Sequence, residues 1–186
     1  MPDKEADFSE TQLASENVFD GKLLHVYRDH VRLPDGAEAV REYIRHQGAA
    51  TMLAFVDDRT ILLERQFRYP LRRHFIELPA GKIDPGEDPL ATAKRELKEE
   101  CGYAAAEWRH LGTMHPCIGY ADERIELYLA RGLTHTGEKR DHGEFLEVFE
   151  LRVEEAIDWV RQGRITEPKA ILGLLWAEKL VRGEWT

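Results

Sequence analysis

The stretch GKIDPGEDPLATAKRELKEECGY, residues 81–103, contains the pattern that most strongly constrains the fold. It predicts a helix with Asp88 as its N-cap, Pro89 at the first helical position and Gly102 just past its end. The apolar residues of this helix recur at spacings of three and four: Leu90, Ala93, Leu97 and Cys101. Such a stripe indicates that one face of the helix packs against a sheet.

Three glutamates, Glu96, Glu99 and Glu100, fall beside this stripe within an arc of about 100°. Each like-charge pair at i,i+3 or i,i+4 costs about 0.2–0.5 kcal/mol, and Lys94 and Lys98 lie on the other side of the helix. Carboxylate oxygens are the ligands that Mg²⁺ and Mn²⁺ prefer. The cluster therefore indicates a site for divalent cations. The other interpretation is a solvated acidic face, because charge runs usually face water.

The residues around the helix favour the metal-site interpretation. Upstream, residues 77–81 (ELPAG) lead from a predicted strand into a loop rich in glycine and proline. Glu87 stands just ahead of the helix. Arg95 neighbours Glu96 and could hold it through a charge-assisted hydrogen bond.

The segment resembles the Nudix box, the sequence motif of the Nudix hydrolases. In that motif five residues separate a glycine from a glutamate, and seven more precede Arg-Glu-aliphatic-x-Glu-Glu-x-Gly-aliphatic. The positions that match are Gly81, Glu87, Arg95, Glu96, Leu97, Glu99, Glu100 and Gly102. Tyr103 stands where an aliphatic residue is usual, at a position that packs rather than reacts. The family hydrolyses a diphosphate linked to another moiety.

The resemblance extends over about residues 20–183 and is closest to the subgroup that hydrolyses ADP-ribose and related nucleoside diphosphate sugars. The phrase IELPAGKID (76–84) fits this subgroup, as does Pro116 beyond the box. The resemblance implies Mg²⁺-dependent hydrolysis of ADP-ribose to AMP and ribose 5-phosphate. Another nucleoside diphosphate sugar, such as GDP-mannose, is the alternative substrate, because the box handles only the diphosphate.

The order of predicted elements indicates an α+β fold, an α/β/α sandwich with a mixed β-sheet between helices. Residues 1–18 are interpreted as a mobile or loosely docked arm, and 51–56 and 61–67 as a strand pair joined by 57–60. The other predicted strands lie within 22–43 and at 75–78, 107–115, 125–130 and 145–151. Two further helices are predicted at about 153–162 and 167–182.

The resemblance also implies a division of the chain into two parts. Residues 1–46 would form an N-terminal arm and a β-rich subdomain, and 47–186 the Nudix hydrolase domain. Within the first part, residues 22–46 are similar to the subdomain through which these enzymes form homodimers.

The resemblance further implies residue roles for hydrolysis. The carbonyl of Ala80 and the carboxylates of Glu96 and Glu100 would hold the metals, with Glu99 in or just behind that set. Glu87 and Arg95 would orient these ligands. A glutamate from a loop outside the box completes such sites. Glu144 matches its position best, and Asp141 and Glu147 are the alternatives.

Four further residues are candidates for binding the substrate. Arg68 follows a predicted strand near the box, where an arginine can hold a phosphate bidentately. Arg41, in the N-terminal segment, is expected to reach the nucleotide, across a dimer interface if the chain dimerises. Glu77 could accept a hydrogen bond from a base amino group or support the loop. Glu123 follows Pro116 and could also enter the site.

Composition narrows the function classes. The 186 residues carry 35 acidic and 26 basic side chains, a formal net charge of -9. This balance argues against nucleic-acid binding, which requires a basic face. The acidic, polar N-terminus indicates no signal peptide, and no apolar run would span a membrane. The only two cysteines, Cys101 and Cys117, indicate neither a disulfide framework nor a zinc site, so a cytoplasmic enzyme is expected.

A non-catalytic regulator on a Nudix scaffold is the hypothesis from a different class. Such a module could lose its metal carboxylates without penalty, whereas all four box glutamates are present here. The sequence also contains no DNA-binding helix pair or basic extension through which a regulator would act. Hydrolysis of a small nucleoside diphosphate substrate is therefore preferred.

Overall fold

A computed structural model describes residues 7–137 and 145–185 of the chain. Within them lie ten strands, three helices and a 3₁₀ turn at Tyr69–Leu71. The strands are β1 (Thr11–Asp20), β2 (His25–Arg32), β3 (Glu38–Arg45), β4 (Ala49–Ala54), β5 (Thr60–Arg68), β6 (Arg73–Glu77), β7 (Ala80–Lys82), β8 (Tyr103–Met114), β9 (Ile125–His135) and β10 (Leu146–Arg152). The helices are α1 (Pro89–Cys101), α2 (Val153–Arg161) and α3 (Pro168–Val181), so all three predicted helices are confirmed.

The chain forms two compact units, one comprising residues up to 46 with 117–123, the other 47–116 with 124 onward. In the first unit, β1, β2 and β3 form an antiparallel sheet in that order. Segment 117–123 joins β3 through a hydrogen bond of 2.9 Å from the Ile44 N–H to the Tyr120 carbonyl.

The interpretation of residues 1–18 as an arm is wrong for residues 11–18, which belong to β1. Backbone pairing with β2 defines this strand, from Thr11 opposite Arg32 to Asp20 opposite His25. All ten of its residues are exposed, so no alternation of buried and exposed side chains marks it in the sequence.

The second unit contains two sheets, ordered β7-β4-β9-β8 and β10-β5-β6. The predicted pairing of 51–56 with 61–67 is wrong, because β4 and β5 lie in different sheets. Among the described residues, an isolated bridge links Phe55, just after β4, to Ile61 of β5. All six residues of β4 are buried, and β4 pairs on both edges, in parallel with β9 and antiparallel with β7. Strand β4 is therefore a central strand of its sheet rather than one arm of a hairpin with β5.

Helices cover both faces of these sheets. Met52 of β4 packs in one cluster with Ala93 and Leu97 of α1. The adjacent Leu53 lies in a second cluster, with residues of α2 and α3 that include Leu174. This alternation along one strand confirms the predicted α/β/α sandwich. Among the described residues, no helix is both long and apolar enough to cross a membrane.

Candidate active site

Helix α1 begins and ends as its sequence predicts. The side chain of Asp88 accepts hydrogen bonds from the N–H groups of Leu90 and Ala91, at 3.0 and 3.2 Å. Gly102 ends the helix with φ of +75°, a conformation that favours glycine. The stripe that contains Leu97 and Cys101 is buried, which places the glutamate-bearing face beside the sheet.

Arg95 is the centre of a cluster of carboxylates. Its Nε and Nη2 donate to the two oxygens of Glu87, at 3.1 and 2.9 Å. Its Nη1 donates to Glu96 Oε1 at 2.7 Å and to Glu99 Oε2 at 3.1 Å. Nη2 also donates to the carbonyl of Lys82, at 3.3 Å, so the arginine links α1 to β7. We call these four side chains, Arg95 with Glu87, Glu96 and Glu99, the Arg95 cluster.

Glu87 is held from several directions. Besides the bonds from Arg95, it accepts hydrogen bonds from the hydroxyl of Thr92 at 2.7 Å and the N–H of Asp84 at 3.3 Å. The hydrogen bond from Arg95 lowers the pKa of Glu87 to about 2, with support from Thr92. The same bond raises the pKa of Arg95, which stays charged. Glu87 is therefore a fixed anion that sets the position of the guanidinium.

Strand β7 lies close against the glutamate-bearing face of α1. The N–H of Ala80 donates to Glu100 Oε2 at 3.2 Å, and Glu100 is buried. A Cβ placed on Gly81 would lie 1.9 Å from Cδ of Glu96, so any larger residue would displace the Glu96 carboxylate from this position. The box glycine thus brings the backbone of β7 beside the two glutamates predicted to hold a metal.

Glu64 of β5 is a buried carboxyl group behind the box. The thiol of Cys101 donates to its Oε1 at 3.4 Å. Burial raises the pKa of Glu64 to about 7, although hydrogen bonds with Cys101 and Glu100 oppose this rise. Burial therefore favours the neutral form of this carboxyl more than water would.

A second ion cluster surrounds Glu77 at the end of β6. Arg68 donates from Nε to Glu77 Oε1 at 2.7 Å and from Nη2 to Oε2 at 2.9 Å. Lys169, in the first turn of α3, also donates to Oε2. Its Nζ lies 3.3 Å from Oε2 of Glu167, the N-cap of α3. We call these four side chains the Glu77 cluster.

The other two predicted substrate-binding residues belong to the first unit. Arg41 of β3 donates from Nε and Nη2 to the two oxygens of Glu10, at 2.9 and 2.5 Å. Glu123 is half-buried, and its Oε1 lies 3.8 Å from Nδ1 of His46. These contacts of Arg41 and Glu123 are therefore with residues of the same unit.

Of the three candidates for the general base, Glu147 is the one that lies within the described residues. Glu144 and Asp141 lie outside the described residues. Glu147 lies on β10 directly opposite Arg65 of β5, is exposed, and forms an ion pair with it at 3.4 Å. These contacts are those of a residue on the solvent face of a strand.

A family model described as the NUDIX domain matches residues 45–171. A second model, described as the nucleoside diphosphate sugar hydrolase N-terminal domain, matches residues 10–44. The chain belongs to the Nudix hydrolase family. The predicted family, and with it a Nudix pyrophosphohydrolase, is confirmed.

Relatives of this Nudix chain match it over nearly its whole length. The methanol dehydrogenase activator of Bacillus methanolicus is 35% identical over 173 residues, which cover 92% of this chain and 94% of that protein. The ADP-ribose pyrophosphatase of Bacillus subtilis (strain 168) is 37% identical over 171 residues, 91% of this chain and 92% of that protein. A crystal structure of an ADP compounds hydrolase, 23% identical, has a TM-score of 0.87 and covers 97% of this chain and 98% of that one. That likeness confirms the Nudix fold.

Nudix hydrolases generally need a divalent metal, and the donors around α1 fit one. Within residues 7–137 and 145–185, no three His, Cys, Asp or Glu side chains converge closely enough to bind an ion as they stand. Arg95 instead holds Glu96 and Glu99. The donors are nevertheless all hard oxygens, and the carboxylates outnumber the single arginine. A divalent cation would offset that negative surplus.

Two buried charged residues of the second unit, Glu64 and Lys169, are not among the site residues that the sequence predicts. Glu64 interrupts the apolar run ILLERQF at the same alternation as Leu62, which indicates an inward-facing charge. Lys169 lies four residues before Gly173 on the buried stripe of α3. In both cases, the sequence places a charged residue at a position where the spacing of the strand or helix predicts a buried apolar one.

Proposed function

We propose that this Nudix hydrolase cleaves the diphosphate bond of ADP-ribose and releases AMP and ribose 5-phosphate in a Mg²⁺-dependent reaction. The Arg95 cluster carries the proposal, because one arginine holds three box carboxylates beside the backbone of β7. The Bacillus subtilis relative supports ADP-ribose as the substrate, since it aligns over nine-tenths of both chains and is an ADP-ribose pyrophosphatase.

Glu96, Glu99 and Glu100, with the carbonyl of Ala80, would hold the metal. When bound, a divalent ion neutralises charge on the diphosphate and lowers the pKa of a bound water. Mg²⁺ is the proposed ion, and Mn²⁺ suits the same oxygen donors. Arg95, fixed by its bonds to Glu87, keeps the neighbouring carboxylates in position.

For the proton transfer we propose Glu144 as the general base. Its carboxylate would accept a proton from a water molecule as the water oxygen attacks phosphorus. The phosphorus–oxygen bond of the anhydride then breaks, and the leaving phosphate keeps the electron pair. Asp141 remains the alternative in the same segment. Glu147 is the weaker candidate because Arg65 holds it on the outer surface of β10.

For substrate binding we propose Arg68 as the phosphate contact, oriented by Glu77. The Arg68 side chain is half exposed, and its Nε and Nη2 both donate to the Glu77 carboxylate, which fixes the guanidinium. Its hydrogen bonds with Glu77 raise the pKa of Arg68, which therefore stays cationic. Arg41 and Glu123 are further proposed substrate contacts, which rest on the resemblance of the sequence.

We propose the two-part organisation of the chain, 1–46 and 47–186, with a homodimer formed through the N-terminal part. The match of residues 10–44 to the nucleoside diphosphate sugar hydrolase N-terminal domain supports this division. Exposed apolar side chains in this part support its use as an interface: Leu13, Val18, Phe19, Leu23, Leu24 and Val40. Light scattering after size exclusion should give twice the chain mass, and Phe19→Ser with Leu23→Ser should shift it towards the monomer.

We further propose a cytoplasmic location for the enzyme. Both Cys101 and Cys117 are free thiols, as expected for a reducing compartment. Small-molecule substrates, rather than nucleic acid or a membrane, are the proposed partners of a chain with a net charge of -9.

The experiment that tests the substrate is a panel measured with Mg²⁺, with and without chelator. It includes ADP-ribose, GDP-mannose, ADP-glucose, a dinucleoside polyphosphate and NADH, and follows nucleotide release. We expect chelator-sensitive turnover concentrated on ADP-ribose. A preference for GDP-mannose would contradict ADP-ribose as the substrate but would leave diphosphate hydrolysis as the reaction. If none of the five compounds is hydrolysed and one of them binds without metal, the protein would be a non-catalytic regulator instead of an enzyme.

A further inference from the structure

We propose that Lys169 is a positioning residue for diphosphate recognition, which it serves by holding Glu77 and, through Glu77, orienting Arg68. This inference rests on the proposed function in taking a nucleoside diphosphate as the ligand. Lys169 lies 92 positions along the chain from Glu77 and outside the Nudix box. Its side chain is only 9% exposed, and lysine is almost never so buried unless it is paired.

The carboxylate of Glu77 is shared between two cations. Its Oε1 accepts from Arg68, and its Oε2 accepts from both Arg68 and Lys169. Burial opposes ionisation of Glu77, but the hydrogen bond from Arg68 and the charge of Lys169 outweigh it and lower the pKa. Glu77 is therefore a buried anion whose orientation depends on both partners.

The two cations differ in what remains available to a ligand. The Lys169 ammonium is enclosed between Glu77 and Glu167, whereas the Arg68 side chain is 47% exposed. Arg68 can therefore meet a phosphate, and Lys169 is placed to balance the carboxylate that orients it. Without Lys169, Glu77 would retain Arg68 as the one basic partner that the structure assigns to it among the described residues. The positive charge of Arg68 would then be needed to neutralise Glu77, and it would attract a phosphate less strongly.

Apolar packing holds α3 against the chain around Glu77 independently of Lys169. The charge of Lys169 can therefore be removed without displacing the helix. A Cβ on Gly173 would lie 2.4 Å from Cδ1 of Leu78, which shows how closely α3 approaches the residue after Glu77. Ala170 and Leu174 are fully buried on this helix. We therefore expect Lys169→Met, which removes the charge but keeps most of the length of the side chain, to fold.

The test measures kcat and KM for ADP-ribose and, independently of turnover, the Kd for ADP by calorimetry. Lys169→Met should raise KM and Kd by about 10-fold, with a smaller change in kcat, because a charge-assisted contact to phosphate is weakened. Lys169→Arg should restore most of the loss. The matched control is Lys179→Met, on the same helix but with a side chain 37% exposed and paired with Glu184, and it should behave like wild type.

Glu77→Gln shows whether Lys169 acts through Glu77. Adding Lys169→Met to Glu77→Gln should change KM and Kd by less than about 3-fold, since coupled residues are not additive. This comparison also holds if the Lys169→Met single variant fails to fold. A repeated 10-fold loss in the Glu77→Gln background, or an unchanged Kd for ADP in Lys169→Met, would overturn the inference. If wild type binds ADP but does not hydrolyse ADP-ribose, the proposed substrate fails while the Kd series still decides the role of Lys169.

Discussion

The Arg95 cluster and the Glu77 cluster are opposites in charge arrangement. In the first, one arginine serves three carboxylates, and negative charge is in excess. In the second, one carboxylate serves two cations, and Glu167 balances the charge. An excess of carboxylates suits a metal ion, whereas an oriented, half-exposed arginine suits a phosphate. The two clusters therefore complement the two charges that metal-dependent diphosphate hydrolysis must bring together.

The clusters also differ in burial. The Arg95 side chain is 30% exposed, while Glu77 is 4% exposed. Charges in the first cluster can exchange partners with an incoming cation at modest cost. In the second cluster, Glu77 and Lys169 are taken out of water and must stay paired, because an uncompensated buried charge is strongly unfavourable. We infer that Glu96 and Glu99 can adjust to a bound cation while Glu87 holds Arg95 in place, and that Glu77 and Lys169 stay paired.

The largest expected effect comes from Glu100, next to the Arg95 cluster. Glu100→Gln should preserve folding and lower kcat by about 10³-fold, because Glu100 is a proposed metal ligand and loss of such a ligand removes several kcal/mol of transition-state stabilisation. The matched control is Glu150→Gln, an exposed glutamate on β10. Turnover of Glu100→Gln like that of the control would remove the metal role of this residue.

The next effect tests whether the base comes from outside both clusters. Glu144→Gln should lower kcat by about 10²-fold or more, as expected when a general base is lost. Glu147→Gln should remain active, because this residue is paired with Arg65 on the surface. An active Glu144→Gln variant with an inactive Glu147→Gln variant would reverse the assignment.

A smaller effect is expected for the residue that fixes Arg95. Glu87→Gln should lower kcat/KM by about 10- to 100-fold, the usual cost of losing a residue that orients metal ligands. Asp84→Asn is the control, since its exposed carboxylate lies 3.8 Å from Arg95 Nη2 and should change activity by less than about 3-fold. Equal effects of the two variants would show that Arg95 needs no particular anchor.

The smallest effect concerns stability and pH. Because the pKa of Glu87 is about 2 in the folded chain against 4.5 ordinarily, its ionisation stabilises the fold above about pH 4.5. This contribution is lost progressively as the pH falls from 4.5 towards 2. Urea unfolding at pH 6, 4.5 and 3.5 should therefore show a stability advantage over Glu87→Gln that shrinks with acidity. An advantage that is constant over this range would contradict the assigned pKa.

The same two clusters show what could be predicted from sequence. The members of the Arg95 cluster lie within Glu87 to Glu99, so helix periodicity and local caps bring them together, and the motif identifies them. Lys169 and Glu77 meet through the packing of α3 against β6, and no local pattern encodes that contact.

The strand errors have a related cause. β7 has only three residues in a loop rich in glycine and proline, and β1 is exposed throughout, so neither shows an apolar pattern. The pairing of β4 was wrong because its partner β9 begins at Ile125, far along the chain. Local patterns thus predicted elements, while long-range pairing decided how the strands are arranged.

The most direct test of the central claim is a Mg²⁺ titration of AMP release from ADP-ribose by the wild-type protein. We expect no release above background with chelator and a rate that rises to saturation as Mg²⁺ is added. Glu100→Gln should stay near the chelated baseline at every Mg²⁺ concentration. A wild-type rate that is the same with chelator as with Mg²⁺ would contradict the metal-dependent site on α1.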